Sequence, residues 1–174
     1  VYIGHVGAAL AAKRARPSIG LLVLLVATYA PDWVDAGLCL AGIYDPDGVL
    51  SHSIPVVGLI ALLGFALYGL KTRDWTGAAV VAAVIASHMF LDWITGNKQT
   101  WPGGTMIGLR LYDRPIADFV VEGAVIVTGV ALYGRTLPPR ERPWIDVSLM
   151  LGALLAMQLA IDIAHMVMES IPKC

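Results

Sequence analysis

A chain of 174 residues, 57% hydrophobic and only 14% charged, is not a water-soluble domain, because soluble chains carry about 25% charged residues. With a mean hydropathy of +0.72, residues 1–174 read as one membrane-embedded domain, all-α: a polytopic integral membrane helical bundle of about five to six transmembrane segments. The net charge of -1, without any long basic run, gives no expectation of nucleic acid as a partner and leaves membrane lipids.

The first segment, 1–12, carries His5 and ends in Lys13-Arg14-Ala15-Arg16. It is short for a span of about 20 residues. A cleavable signal peptide is not expected, since the basic cluster follows the apolar stretch. The second apolar run, 19–30, is predicted to end at Pro31-Asp32, because proline lacks a backbone donor and restricts the residue before it. Residues 33–44 continue as another apolar piece containing Asp35 and Cys39. The two cysteines, Cys39 and Cys174, form neither a disulfide framework nor a metal-binding pattern, and Cys39 reads as packing. Asp45-Pro46-Asp47-Gly48 is a turn signal.

Ser51-His52-Ser53 opens the third segment, with Ser51 as a helix cap, and the segment runs to residue 70. Lys71-Thr72-Arg73-Asp74 separates it from the fourth, 75–94. There His88 and Asp92 stand four apart on one helical face, one turn from each other. The connection 96–115 is polar, glycine-rich and long enough to act as a lid or binding element. The fifth segment, 116–133, carries Asp118 and Glu122. A stiff basic turn, 135–143, leads to the sixth, 144–168, with Asp162 and His165 near its end. Strand-period alternation of a β-barrel is absent. Trp33, Trp93, Trp101 and Trp144 fall near predicted boundaries and read as interfacial anchors.

If six segments alternate, Lys13, Arg14, Arg16, Lys71, Arg73, Arg135, Arg140 and Arg142 share one side, against Lys98, Arg110, Arg114 and Lys173 on the other. This bias makes the first side cytoplasmic. All four histidines, with Asp32, Asp35, Asp92, Asp118, Glu122 and Asp162, then lie in the opposite half. His5, for instance, lies about 12 Å from Lys13 at the helical rise. The expectation is one polar cavity opening to the outer face.

Ionisable groups in lipid mark function by default. Imidazoles and carboxylates without thiolates suit Zn²⁺ first, with Mn²⁺ and Fe²⁺ as alternatives, whereas Mg²⁺ favours all-oxygen sites. The economical chemistry is then hydrolysis by a metal-activated water. Glu122 is the candidate general base, or else an outer partner orienting a histidine. Asp162 and His165, three apart, are either ligands or a local hydrogen-bonded pair. Without a metal, the same groups would relay protons or line an ion path in a transporter or channel, or merely pair within a scaffold.

His5, Pro31-Asp32, Ser51-His52-Ser53 and His88-x-x-x-Asp92 with Gly96 resemble, in order and spacing, the YdjM/DUF457 group. Its members are bacterial and archaeal inner-membrane proteins described as metal-dependent hydrolases. The resemblance runs from His5 through Glu122. It implies a metal site of His5, Asp32, His52, His88 and Asp92, and a location in the cytoplasmic (inner) membrane. The group commonly has Pro-Asp-x-Asp, whereas here position 34 is valine and the second carboxylate is Asp35, which joins Glu122 as a candidate catalytic residue. Of the group's His-Arg-Gly-x-Thr-His pattern only Ser51-His52 is kept, with Asp47 where the first histidine would stand. The reading is a membrane-embedded, metal-dependent hydrolase acting on a lipid-like (phospho)ester at the outer leaflet.

Overall fold

The computed structural model describes residues 2–45, 47–138 and 144–167. Val1, Pro46, residues 139–143, which belong to the predicted basic turn, and residues 168–174, with Lys173 and Cys174, lie outside it. Helices α1 (Gly4–Ala15), α2 (Leu21–Thr28), α3 (Ala30–Leu40), α4 (Val49–His52), α5 (Ile54–Thr72) and α6 (Trp75–Thr95) are followed by a hairpin, β1 (Lys98–Gln99) and β2 (Met106–Ile107). A 3-10 turn, Leu111–Asp113, leads into α7 (Pro115–Gly134) and then α8 (Trp144–Val167).

Four helices, α5, α6, α7 and α8, are long and apolar enough to cross a membrane, and α2 with α3 makes a fifth if the bent pair counts as one span. The sixth expected span is not reached: α1 has 12 residues, about 18 Å at the helical rise, against a hydrocarbon core of about 30 Å. Pro31 bends the second segment instead of ending it. It falls in the first turn of α3, where a missing N–H costs nothing, and the two helices meet at 57°. The third segment is also broken. Ser53 is extended (ψ 155°) between α4 and α5, and Pro55 starts the new helix. Cys39 is disulfide-bonded, which corrects its reading as packing.

The short helix α1 sits at the centre, packed on α2, α6 and α7. Lipid offers little hydrophobic drive between helices, so close packing of small residues must bring them together. Here Gly7 and Gly129 do so: a Cβ on Gly7 would lie 2.6 Å from the Val125 carbonyl oxygen, and one on Gly129 would overlap the Gly7 carbonyl. One core cluster joins Ala9, Leu24, Val57, Val81 and Ile85, and another joins Ile3, Leu10, Ile126 and Val130. Leucines such as Leu22, Leu62 and Leu149 are exposed and face outward, as lipid contact requires.

At one end of the bundle Asp74 caps α6, accepting from Gly77 N at 2.9 Å, and pairs with Arg16 through Nε (3.2 Å) and Nη2 (3.0 Å). The Gly77 hydrogen bond and then the Arg16 guanidinium hold the Asp74 carboxyl below its ordinary value, against a counteracting desolvation. The first and second basic turns, 13–16 and 71–74, therefore meet at the same end, as the charge sorting predicts. At the other end the long connection folds into the hairpin, in register Lys98↔Ile107 and Gln99↔Met106. It is pinned by Ile54 N→Thr100 O (2.9 Å), Leu109 N→Trp93 O (3.0 Å) and Arg110 N→Gly96 O (3.0 Å).

Candidate metal centre

Two chain breaks and one uninterrupted helix build the site. Helix α6 presents His88 and Asp92 one turn apart. Asp32 enters from the first turn of α3, just past the bend. His52 is the last residue of α4, and His5 lies in the first turn of α1. These residues form two overlapping triads that share His88: His5, His88 and Asp92, and Asp32, His52 and His88.

His5 Nε2 is 3.5 Å from Asp92 Oδ1, and His52 Nε2 is 3.1 Å from Asp32 Oδ1 and 3.5 Å from Asp92 Oδ2. His88 Nε2 lies 3.5 Å from Asp32 Oδ1 and 3.6 Å from Asp92 Oδ2. Two ligand atoms bound tetrahedrally to one Zn²⁺ at 2.0–2.2 Å would stand about 3.4 Å apart. The observed separations bracket that value. The His5 and His88 rings stack with centroids 3.9 Å apart.

The outer partners determine which ring nitrogens carry hydrogen. His88 Nδ1 lies 2.7 Å from the Thr28 carbonyl oxygen; a carbonyl only accepts, so Nδ1–H donates and the neutral ring turns its Nε2 lone pair inward. Ser51 Oγ donates to Asp35 Oδ1 (3.1 Å) and so must accept from His52 Nδ1 (2.7 Å). In the neutral ring His52 Nε2 then also carries a lone pair, whereas the protonated ring would donate from it to Asp32 Oδ1 at 3.1 Å. Both lone pairs face carboxylate oxygens across a buried space. Among the described residues, His88 Nε2 and both ring nitrogens of His5 have no hydrogen-bond partner. Acceptors facing acceptors away from water are costly, and a divalent cation among them removes the cost. The donor set of imidazoles and carboxylates fits Zn²⁺.

All five residues implied by the resemblance are thus brought together. The two candidate catalytic residues are placed differently. Asp35 reaches the cluster only through Ser51. Glu122 sits at the start of α1, its Oε1 accepting from Tyr2 N (3.1 Å) and its Oε2 from Tyr2 N (3.2 Å) and Gly4 N (3.0 Å). A carboxylate at that position satisfies orphan N–H groups and complements the helix dipole, which holds His5 in place. Asp118 and Asp162 are buried but belong to neither triad. Gln158 accepts from Ile3 N (3.3 Å) and donates to Asp162 Oδ1 (2.9 Å). Three histidines converge, while the fourth, His165, meets Tyr2 Oη at 2.9 Å. Burial, and after it the Glu122 charge, pushes the Tyr2 phenol up to about 12, so it stays protonated at neutral pH.

Sequence reasoning missed Thr28, whose contribution is a backbone carbonyl and has no residue signature. It also took Ser51 only as a cap, although its place beside His52 was the available clue.

A family model described as YdjM inner membrane protein matches residues 1–166. The chain belongs to that family. As a YdjM-family member it is an inner-membrane protein, in keeping with its candidate spans. No curated protein and no solved structure matches it.

The cluster is not sealed evenly. The side chain of Asp32 is 44% exposed while those of the imidazoles are 0–2% exposed. Asp32 opens into a recess shared with Tyr29, Trp33 and Ala36. Because Asp35 and Ser51 orient His52, Asp35→Asn and Ser51→Ala are each expected to weaken metal binding about 10–100-fold in protein that still folds. Competition titration with a chelating dye measures this; unchanged affinity in both variants would remove the relay from the site.

Proposed function

We propose that this YdjM-family protein is a membrane-embedded, metal-dependent hydrolase acting on a lipid-like ester at the non-cytoplasmic side. The observation that carries the reading is the set of inward-facing imidazole lone pairs opposite Asp32 and Asp92. His5, His52, His88, Asp32 and Asp92 would hold the ion, Zn²⁺ by donor set with Mn²⁺ and Fe²⁺ as alternatives. Such an ion supplies a water acidified toward a pKa of about 7 and a Lewis acid for an ester oxygen. The chain's own residues do the rest. Thr28 and the Asp35–Ser51 pair hold two rings in their working tautomers, and Glu122 anchors the helix that carries His5. Asp32 is the member of the set open to the recess, and so the one positioned to meet an incoming ester. That recess is lined by the bend and the start of α3, part of the bent pair that makes the fifth candidate span, which supports an amphiphile over a soluble substrate.

A second reading, an ion- or proton-coupled carrier or channel, draws on the helix break beside the cluster, since carriers place ion sites at interrupted helices. Zn²⁺-loaded protein incubated with a lipid extract is expected to release a product by mass spectrometry, with release abolished by EDTA. Ion flux in proteoliposomes without product would favour the carrier. Metal-free protein under every loading condition would leave only a structural role.

A further inference from the structure

Above the cluster, at the end of the bundle capped by the hairpin, lies a polar cavity of about 790 Å³. Its charges are segregated by chain segment. Asp35, Asp45 and Asp47 come from the α3–α4 region; Lys98 comes from the hairpin and Arg110 from the loop after it, with Asp113 as the one acidic group on that side among the described residues. We infer that this cavity binds a zwitterionic phosphodiester head group, its phosphate on Lys98 and Arg110 and its ammonium toward Asp45 and Asp47. This rests on the hydrolase reading only in taking the head group to belong to the same amphiphile.

The basic wall is built for an anion beside the metal centre. A Cβ placed on Gly48 would lie 3.5 Å from His52 Nδ1 and 3.7 Å from Lys98 Cδ, so Gly48 is in reach of both the ligand histidine and the Lys98 stem. Arg110 is held at φ 54°, a backbone conformation rare for non-glycine residues. Its Nε and Nη2 donate to the Asn97 side-chain oxygen at 3.2 Å each once that amide is oriented to accept. Two of its five donors are thereby used, and a guanidinium fixed in this way presents the others as a fork suited to phosphate.

The acidic wall decides between anionic and zwitterionic heads. Asp113 lines the cavity too, so among the described residues four carboxylates and two cationic side chains line it. A purely anionic head would meet a surplus of negative charge in a partly enclosed space, where unpaired like charge is costly. A head that brings its own ammonium cancels the surplus. Asp45 is already fixed, its carboxylate accepting Val49 N (3.1 Å) and Leu50 N (2.6 Å), so that wall is preorganised.

Detergent-purified protein is incubated with equimolar phosphatidylethanolamine and phosphatidylglycerol, and the retained lipid is counted by native mass spectrometry. Soluble glycerophosphoethanolamine and inorganic phosphate are titrated in parallel. Phosphatidylethanolamine is expected to be retained about 10-fold over phosphatidylglycerol. Lys98→Met, which keeps an apolar stem without the charge, should weaken retention of both lipids by a similar factor, and Asp47→Asn should erase the preference. Competition by glycerophosphoethanolamine but not by phosphate supports recognition of the whole zwitterion, whether free or in a lipid. Equal retention of the two lipids, preference for phosphatidylglycerol, or an unaltered Lys98→Met profile overturns the proposal. Asp32→Asn, at a half-exposed ligand outside this cavity's lining, should keep the head-group preference. Preference without metal would sink the hydrolase reading alone, and metal without preference would sink this one alone.

Discussion

Detergent-purified His88→Ala protein is expected to retain only background metal after Zn²⁺ loading, where the parent chain retains a stoichiometric amount. His88 is the one residue shared by both triads, so its loss opens both, and the effect should exceed the about 10–100-fold associated with outer partners. Inductively coupled plasma mass spectrometry reads the result. His88 is fully buried, and its truncation could unfold the bundle. Asp32→Asn provides the control: that side chain is 44% exposed, so the variant should fold while losing most of the metal. A parent chain without metal, or an Asp32→Asn protein that binds as well as the parent, would refute the centre.

Gly129→Leu is expected to be the most damaging change away from the centre. A Cβ at Gly129 would overlap the carbonyl of Gly7, and both contact surfaces are backbone, which cannot rotate away as a side chain can. The cost should be about 3 kcal/mol or more, visible as a lower melting temperature in detergent. Because α1 carries His5, separation of α1 from α7 should also reduce metal binding in any protein that survives. Gly152→Leu, a position with nothing within 4 Å, should melt like the parent. Equal melting of the Gly129 and Gly152 variants would show that the α1–α7 approach is looser than described.

Much of the site was readable before any fold. His88 and Asp92 share a face because a helix repeats every 3.6 residues, and apolar flanks announced that helix. Asp32, His52 and His5 were placed at a common depth by counting from the basic turns, and family resemblance joined them. What counting could not supply was orientation. Glu122, read as a base or as an outer partner orienting a histidine, caps α1 through Tyr2 N and Gly4 N. Only the approach of α1 to α7 brings that carboxylate to those amides, 118 residues or more away in sequence.

Composition and apolar runs were sufficient for a membrane helical bundle, because lipid admits so few backbone arrangements. Residue spacing was sufficient for the His88–Asp92 pair. The bend at Pro31 and the break at Ser53 sit beside prolines visible in the sequence, whereas the hairpin over the cavity arises from contacts between distant segments. So do the tautomers of two rings, His88 through Thr28 and His52 through Ser51 once Asp35 accepts the Ser51 hydrogen. A linear string carries residue identity and local period, but a lone pair acquires direction only when another part of the chain arrives to hold the opposite nitrogen.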